Sequence, residues 1–297
     1  LTPDEAEQLA QATEGHPLFI VETVRAGDWR QPMHRPSVPS SLHAAAASFQ
    51  ALPPKIQATI QARLAQLSAP AREIAGLAAT IGRQFSFAVL QRTGTVDEDT
   101  LIQALDELWQ RRMIREQGAD AYDFSHDKIR EVAYQGVSQL RRRLFHRRVA
   151  AALEQEYTQN LAPILGQLAV HYELAQLPAQ AFAYWMRTAQ RAEALDAYPD
   201  ADAYYQRALT LHQAQLAENL QSQFDLLLLR SAMAERQGQS TKFARDLALL
   251  FRLAGTMNEP ARLAQAQLRQ ASYFRAVGQP QQALQAGEQA LALYRAS

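Results

Sequence analysis

From about Leu161 to Ser297 one pattern recurs without interruption: alanine-rich stretches with Tyr, Phe and Leu at helical spacing, separated by loops marked by Pro or Gly. The clearest units are Ala179-Gln180-Ala181-Phe182-Ala183-Tyr184-Trp185 and Ala201-Asp202-Ala203-Tyr204-Tyr205-Gln206-Arg207-Ala208-Leu209. The last is Pro280-Gln281-Gln282-Ala283-Leu284, running on to Ala290-Leu291-Ala292-Leu293-Tyr294. Gly238 and Gly278 hold equivalent places, each closing one helix just before the next begins. A helix pair of this kind cannot bury its apolar face alone, so such pairs stack. Small alanines let neighbouring helices approach, and the aromatic rings fill the gaps between them.

The forty residues from Gly238 to Gly278 exceed the roughly 34 of a minimal tetratricopeptide unit, so longer helices are expected over 160–297 in a tetratricopeptide-like α-solenoid. Upstream the pattern differs. Pro53-Pro54 opens a helix with Ile56, Ile60, Leu64 and Leu67 on one face, and Ser68-Ala69-Pro70 starts the next, with Ile74, Leu77 and Ala78 inward. A short helix follows around Phe87–Leu90. Asp97-Glu98-Asp99-Thr100 caps a stronger one, on which Leu101, Ile102, Leu105, Leu108 and Trp109 read as one apolar face. The period then changes. Met113 and Ile114 lead into Gly118, and Tyr122 and Phe124 alternate beyond it, which predicts one β-hairpin. A helix restarts near Asp127. Helices followed by a hairpin predict a small winged-helix domain over 51–155, so the expected fold is mainly α. Before it, 1–26 reads as two short amphipathic segments broken at Gly15-His16-Pro17, and 27–50, with Pro32, Pro36 and Pro39, as a linker.

The chemistry that the sequence excludes is as informative. Cysteine is absent, which removes disulfides, thiolate metal sites and a cysteine nucleophile together. Thirty basic and thirty acidic residues leave a formal net charge of zero, so nothing global attracts a polyanion or a membrane surface. No apolar run approaches the roughly 18–20 residues of a membrane span, and no basic-then-apolar leader opens the chain, so the cytosol is the expected compartment. The chain begins at Leu1 in a stretch already helical in character, and reads as a piece of a longer polypeptide. Lysine occurs only as Lys55, Lys128 and Lys242, none after a glycine, so a phosphate loop cannot be formed. With no G-x-S-x-G elbow and no H-E-x-x-H, no catalytic residue and no metal site are expected.

Three segments in order carry a resemblance: Gly15-His16-Pro17-Leu18-Phe19, then Phe124-Ser125-His126-Asp127-Lys128-Ile129-Arg130-Glu131-Val132-Ala133-Tyr134, then the helical array. Together they resemble the downstream part of bacterial STAND nucleotide-switch ATPases, signalling proteins and transcriptional regulators with an AAA-like core, helical lid, winged helix and superhelical sensor. The resemblance implies that 1–26 is the end of a lid whose ATPase core is missing. It implies that Gly15 and Pro17 would sit against the adenine of bound nucleotide. His126, after the second wing strand, would reach the β-phosphate of ADP. Its N–H and the positive end of the following helix both suit an anion. Without a phosphate loop or a Mg²⁺-binding acid, the chain itself is expected to hold no cofactor. ADP or ATP with Mg²⁺ would belong to the parent protein.

Other features admit two readings. Arg141-Arg142-Arg143 with Arg147-Arg148 could face a phosphate backbone or be the wet side of an amphipathic helix. Tyr172, Tyr184, Tyr204 and Tyr205, with Trp185 and Tyr198, could line a ligand groove or be core. The histidines at 16, 34, 43, 126, 146, 171 and 212 look scattered. The expected role is a non-catalytic switch-and-sensor segment whose partners are the upstream core and a protein or small inducer on the repeats. No membrane partner and no direct DNA binding are expected. A stand-alone tetratricopeptide adaptor and a winged-helix DNA-binding regulator remain as alternatives.

Overall fold

The computed structural model describes residues 54–118 and 120–296. Gly15, Pro17 and the segments 1–26 and 27–50 lie outside the described residues. The chain divides into two compact units between Gln176 and Leu177.

The first unit comprises α1 (Pro54–Ala65), α2 (Ala69–Ile81), β1 (Gln84–Ser86), α3 (Phe87–Arg92), α4 (Glu98–Gln110), β2 (Ile114–Gln117), β3 (Ala121–Phe124), α5 (Asp127–Gln135), α6 (Gln139–Glu156) and α7 (Leu165–Leu174). Capping sets its helix starts. The Ser68 hydroxyl accepts from the Ala71 N–H at 3.2 Å, Ser86 from Val89 at 3.3 Å, and Asp97 from Thr100 at 2.9 Å. From Ile74 to Ile81 every residue of α2 is buried. That is possible because half of the run is Ala or Gly, so α4, α5, α6 and β1 can all pack onto it. Gly76 marks the tightest approach: a Cβ there would stand 2.6 Å from Val137 Cγ2.

The hairpin is present, with Gly118 at φ 76° in its turn. It gains a strand that the sequence did not disclose. β1 pairs antiparallel with β3, giving the order β1-β3-β2 and placing Phe85 opposite Tyr122 and Ile114 opposite Phe124. Three residues are too few for alternation to show. The order helix, strand, two helices, hairpin is that of a small winged helix. Central Asp123 is buried between Arg115 at 2.9 Å and Arg83 at 3.3 Å, so its charge is paired from both sides. α7 packs onto α6 and belongs to this unit.

The second unit is a run of helices: α8 (Pro178–Ala194), α9 (Tyr198–Gln215), α10 (Leu220–Arg236), α11 (Ser240–Met257), α12 (Pro260–Ala276) and α13 (Pro280–Ala296). Successive hairpins start at 178, 220 and 260, offsets of 42 and 40 residues, so the long repeat read from the glycines is real. Contacts concentrate between helices adjacent in sequence, and α10 also touches α12, as stacked hairpins require. Ala181, Ala189, Ala201, Ala208, Ala264, Ala266 and Ala290 are fully buried at these crossings. Left-handed residues turn most corners: Gly238 and Gly278, but also Asp196 and Asn258.

Candidate functional site

The most distinctive surface of the first unit is the outer side of α4. Leu101, Ala104, Leu105 and Leu108 point into the core. Ile102 and Trp109, expected on that same face, instead stand 43% and 52% exposed. They sit seven residues apart and so share one line, about 100° round the helix from Leu101 and Leu108. Glu98, Asp99 and Asp106 are exposed beside them, and α4 contains no Lys or Arg. The hairpin extends the same character. Burial raises the Tyr122 phenol above its ordinary pKa, and Glu116, Asp106 and Asp120 push it further up. Acids from α4, β2 and the hairpin turn therefore converge on one ring, which stacks on Phe85 with centroids 5.8 Å apart.

His126 stands directly after β3 as the N-cap residue of α5, in extended backbone and without a side-chain capping bond; its carbonyl accepts from the Ile129 N–H at 3.0 Å. The neighbouring charges already offset one another. Burial disfavours ionised Asp127, but the Arg130 hydrogen bond at 2.8 Å and its charge more than compensate, holding the carboxyl below the usual range. Glu131 is pushed up by burial and by Asp127, against the pull of Lys128 at 3.3 Å. The helix end that would favour a phosphate thus carries two carboxylates and two cations in pairs. These residues fit a nucleotide phosphate only in part, since both cations are already engaged by carboxylates.

A second cluster was not visible in the sequence. His146 on α6 and His171 on α7 are buried with their Nδ1 atoms 2.9 Å apart, and the Tyr134 hydroxyl lies 2.9 Å from His146 Nε2. The Arg142 guanidinium covers the Tyr134 ring at 5.2 Å. One proton is shared at each contact. If Tyr134 donates, His171 keeps a proton on Nε2 with no acceptor; in the reverse tautomer its Nε2 is an acceptor without a donor. Burial first, then His171 and Arg142, depress His146 to about 2, and burial depresses His171 to about 4. The clue was positional: each histidine falls on the buried face of its helix.

The tyrosines proposed for a ligand groove separate. Tyr205 is fully buried, donating to Glu193 at 3.0 Å, and Tyr172 is buried in the first unit, so neither lines an open groove. Tyr204, stacked on Trp185 at 5.7 Å, and Tyr184, beneath Arg187 at 5.1 Å, remain half-buried. Of the arginine run, Arg141, Arg143 and Arg147 are exposed, while Arg142 and Arg148 are half-buried. Among the described residues no group of three or more His, Asp or Glu could hold a metal ion, and no helix is long and apolar enough to cross a membrane.

No family model matches the chain. It is 28% identical over 215 residues to the uncharacterized protein R02095 of Rhizobium meliloti (strain 1021), covering 71% of this chain and 20% of that protein. The chain therefore spans about a fifth of the length of this relative. Among solved structures it aligns with the crystal structure of a Signal Transduction ATPase with Numerous Domains (STAND) protein with a tetratricopeptide repeat sensor from Pyrococcus horikoshii. The TM-score is 0.38 at 12% identity, covering 99% of this chain and 45% of that one. It also aligns with BtubC (BKLC) from P. vanneervenii, at TM-score 0.35 and 15% identity over 77% of this chain and 92% of that one.

Proposed function

We propose that the chain is a non-catalytic sensor and adaptor segment of a signal-transduction regulator. In this reading the winged helix is a protein-docking arm and the helical hairpins receive a protein or small inducer. The observation that carries it is the outer face of α4. In a helix-turn-helix the second helix enters the DNA groove and needs cationic side chains there. The second helix here offers Ile102 and Trp109 among acids, and the wing adds Glu116 and Asp120. Such a surface repels phosphates and suits an apolar protein patch rimmed by Lys or Arg.

The segment order read from the sequence supports the finer proposal of a STAND-type switch, in which the docking arm closes on an upstream ATPase core. ADP or ATP with Mg²⁺ would be held by that core, with His126, Gly15 and Pro17 contributing from this chain. An inducer on the hairpins would favour the open state only by its difference in affinity for the two states. In a protein carrying such a core, His126→Ala should weaken ADP retention and raise basal activity, measured by the nucleotide content of the purified protein. Unchanged retention removes His126 from the mechanism. For the docking arm, fluorescence anisotropy against a random-sequence duplex at low salt should show no binding. Binding that falls steeply with salt would transfer the assignment to a DNA-binding regulator.

A further inference from the structure

Between α1, α2, α5 and α6 the first unit contains a half-open cavity of about 630 Å³. Leu64, Val132, Val137 and Phe145 give it an apolar lining, Glu73 brings one carboxylate, and Arg72 and Arg141 bring two guanidinium groups. Its walls are fixed. Arg72 donates to the carbonyls of Leu64, Ala65 and Leu67 at 3.3, 2.8 and 3.0 Å, locking the α1–α2 corner and committing its Nε and Nη2 donors there. Across the cavity, Val137 packs against Gly76, where an added Cβ would stand 2.6 Å from Val137 Cγ2.

The two remaining charges set the chemistry. Neither the Glu73 nor the Arg141 side chain makes a hydrogen bond or ion pair with any described residue, although both line the same cavity. A concave apolar surface of this size takes small ligands, with a few polar groups fixing their orientation. A guanidinium fork matches a carboxylate, and a carboxylate matches an ammonium.

We propose that this cavity is a binding site for an apolar zwitterion of dipeptide size. Arg141 receives the carboxylate, Glu73 receives the ammonium, and the hydrophobic side chains fill the lining. The site lies within the winged-helix unit and does not depend on an inducer binding to the hairpins.

Isothermal titration of the whole 297-residue chain with L-leucyl-L-phenylalanine tests this. The free dipeptide should bind, and its N-acetylated and C-amidated forms should each bind about tenfold more weakly, the loss of one charge-assisted hydrogen-bonded pair. Arg141→Ala should erase the discrimination against the amide and keep that against the acetyl form; Glu73→Gln should do the reverse. Ala65→Trp, which plugs the mouth from an exposed position, should abolish binding without lowering Tm. No binding of the dipeptide up to its solubility overturns the proposal, as do capped forms that bind equally well. Binding that survives Ala65→Trp overturns it too.

Discussion

The two units solve the problem of burying helices in opposite ways. In the first, α4, α5, α6 and β1 converge on α2, whose residues from Ile74 to Ile81 are all buried. In the second there is no such centre: α11 meets α10 and α12, and each hairpin relies on its neighbours. A converging core concentrates the consequence of a substitution at its hub. A serial array divides its stability into interface contributions between nearest neighbours. The difference also bears on function, because an array can yield locally to a bound partner while a hub-centred unit transmits strain as one body.

The largest expected effect falls on one interface of the array. Arg230 and Asp246, both buried, form a two-point ion pair between α10 and α11, with Arg230 Nε 2.8 Å from Asp246 Oδ2. Beside it Arg269 of α12 reaches Ser231 at 3.1 Å and Glu235 at 2.9 Å, and lies over the Phe243 ring at 4.6 Å. Arg230→Ala strands the Asp246 carboxylate and should cost roughly 3–5 kcal/mol. Native-state hydrogen exchange should show the loss in α10 to α12, with α8 largely retaining its protection. Equal loss across α8 and α9 would break the nearest-neighbour description.

Next comes acid sensitivity in the first unit. His146 and His171 are held neutral in the fold, below their unfolded value near 6.5. Below that pH the unfolded chain takes up protons that the folded chain refuses, so stability falls as pH drops from about 6.5 towards 4. His171 alone should account for about 3 kcal/mol of that fall, at roughly 1.4 kcal/mol per pH unit. The groups facing the pair are Tyr134 and Arg142, and neither supplies a counter-charge. The Tm of His171→Leu should therefore be less pH-dependent over this interval than that of the parent. An unchanged slope would show that the pair does not set the acid limit.

A smaller effect probes the hub. Gly76→Ala places a methyl 2.6 Å from Val137 Cγ2, and the turn after α5 must give way. The expected cost is about 1–3 kcal/mol, the usual range for overpacking. Val137→Ala in the same chain should recover much of it. Failure of that rescue would mean the approach is not as tight as described.

What was legible in the sequence follows the same division. The array could be read because each repeat restates its own pattern, and its helix lengths follow from the spacing of Gly238 and Gly278. The first unit was legible where a local signal sufficed, as with the Asp97 cap or the alternation of Tyr122 and Phe124. It was hidden where a partner lies far off in sequence. β1 needs β3, some 37 residues away, to become a strand, and the His146–His171 contact joins two helices. Ile102 and Trp109 misled because apolar residues signal burial in general. For the sites, the placement of His126 after the second wing strand was legible, but the offsetting pairs around it depend on side-chain reach. Tyr172 and Tyr205 fell to the core because helical spacing alone does not say which side of a helix is covered.

Gly278→Ala separates the two regions most cleanly, since it is the counterpart of Gly76→Ala with the causes exchanged. Gly278 ends α12 with φ at 76°, and a Cβ built there meets nothing within 4 Å. Packing therefore plays no part, and the cost is only that of left-handed backbone for an L-residue, about 1 kcal/mol. No second-site change of a neighbouring side chain should rescue it. Gly278→Asn should, because Asn tolerates this conformation, as Asn258 does at φ 53° at the end of α11. Chemical denaturation of the two variants measures the difference. A loss shared equally by Ala and Asn would mean that the third hairpin depends on a contact at Gly278 and not on the conformation of its turn.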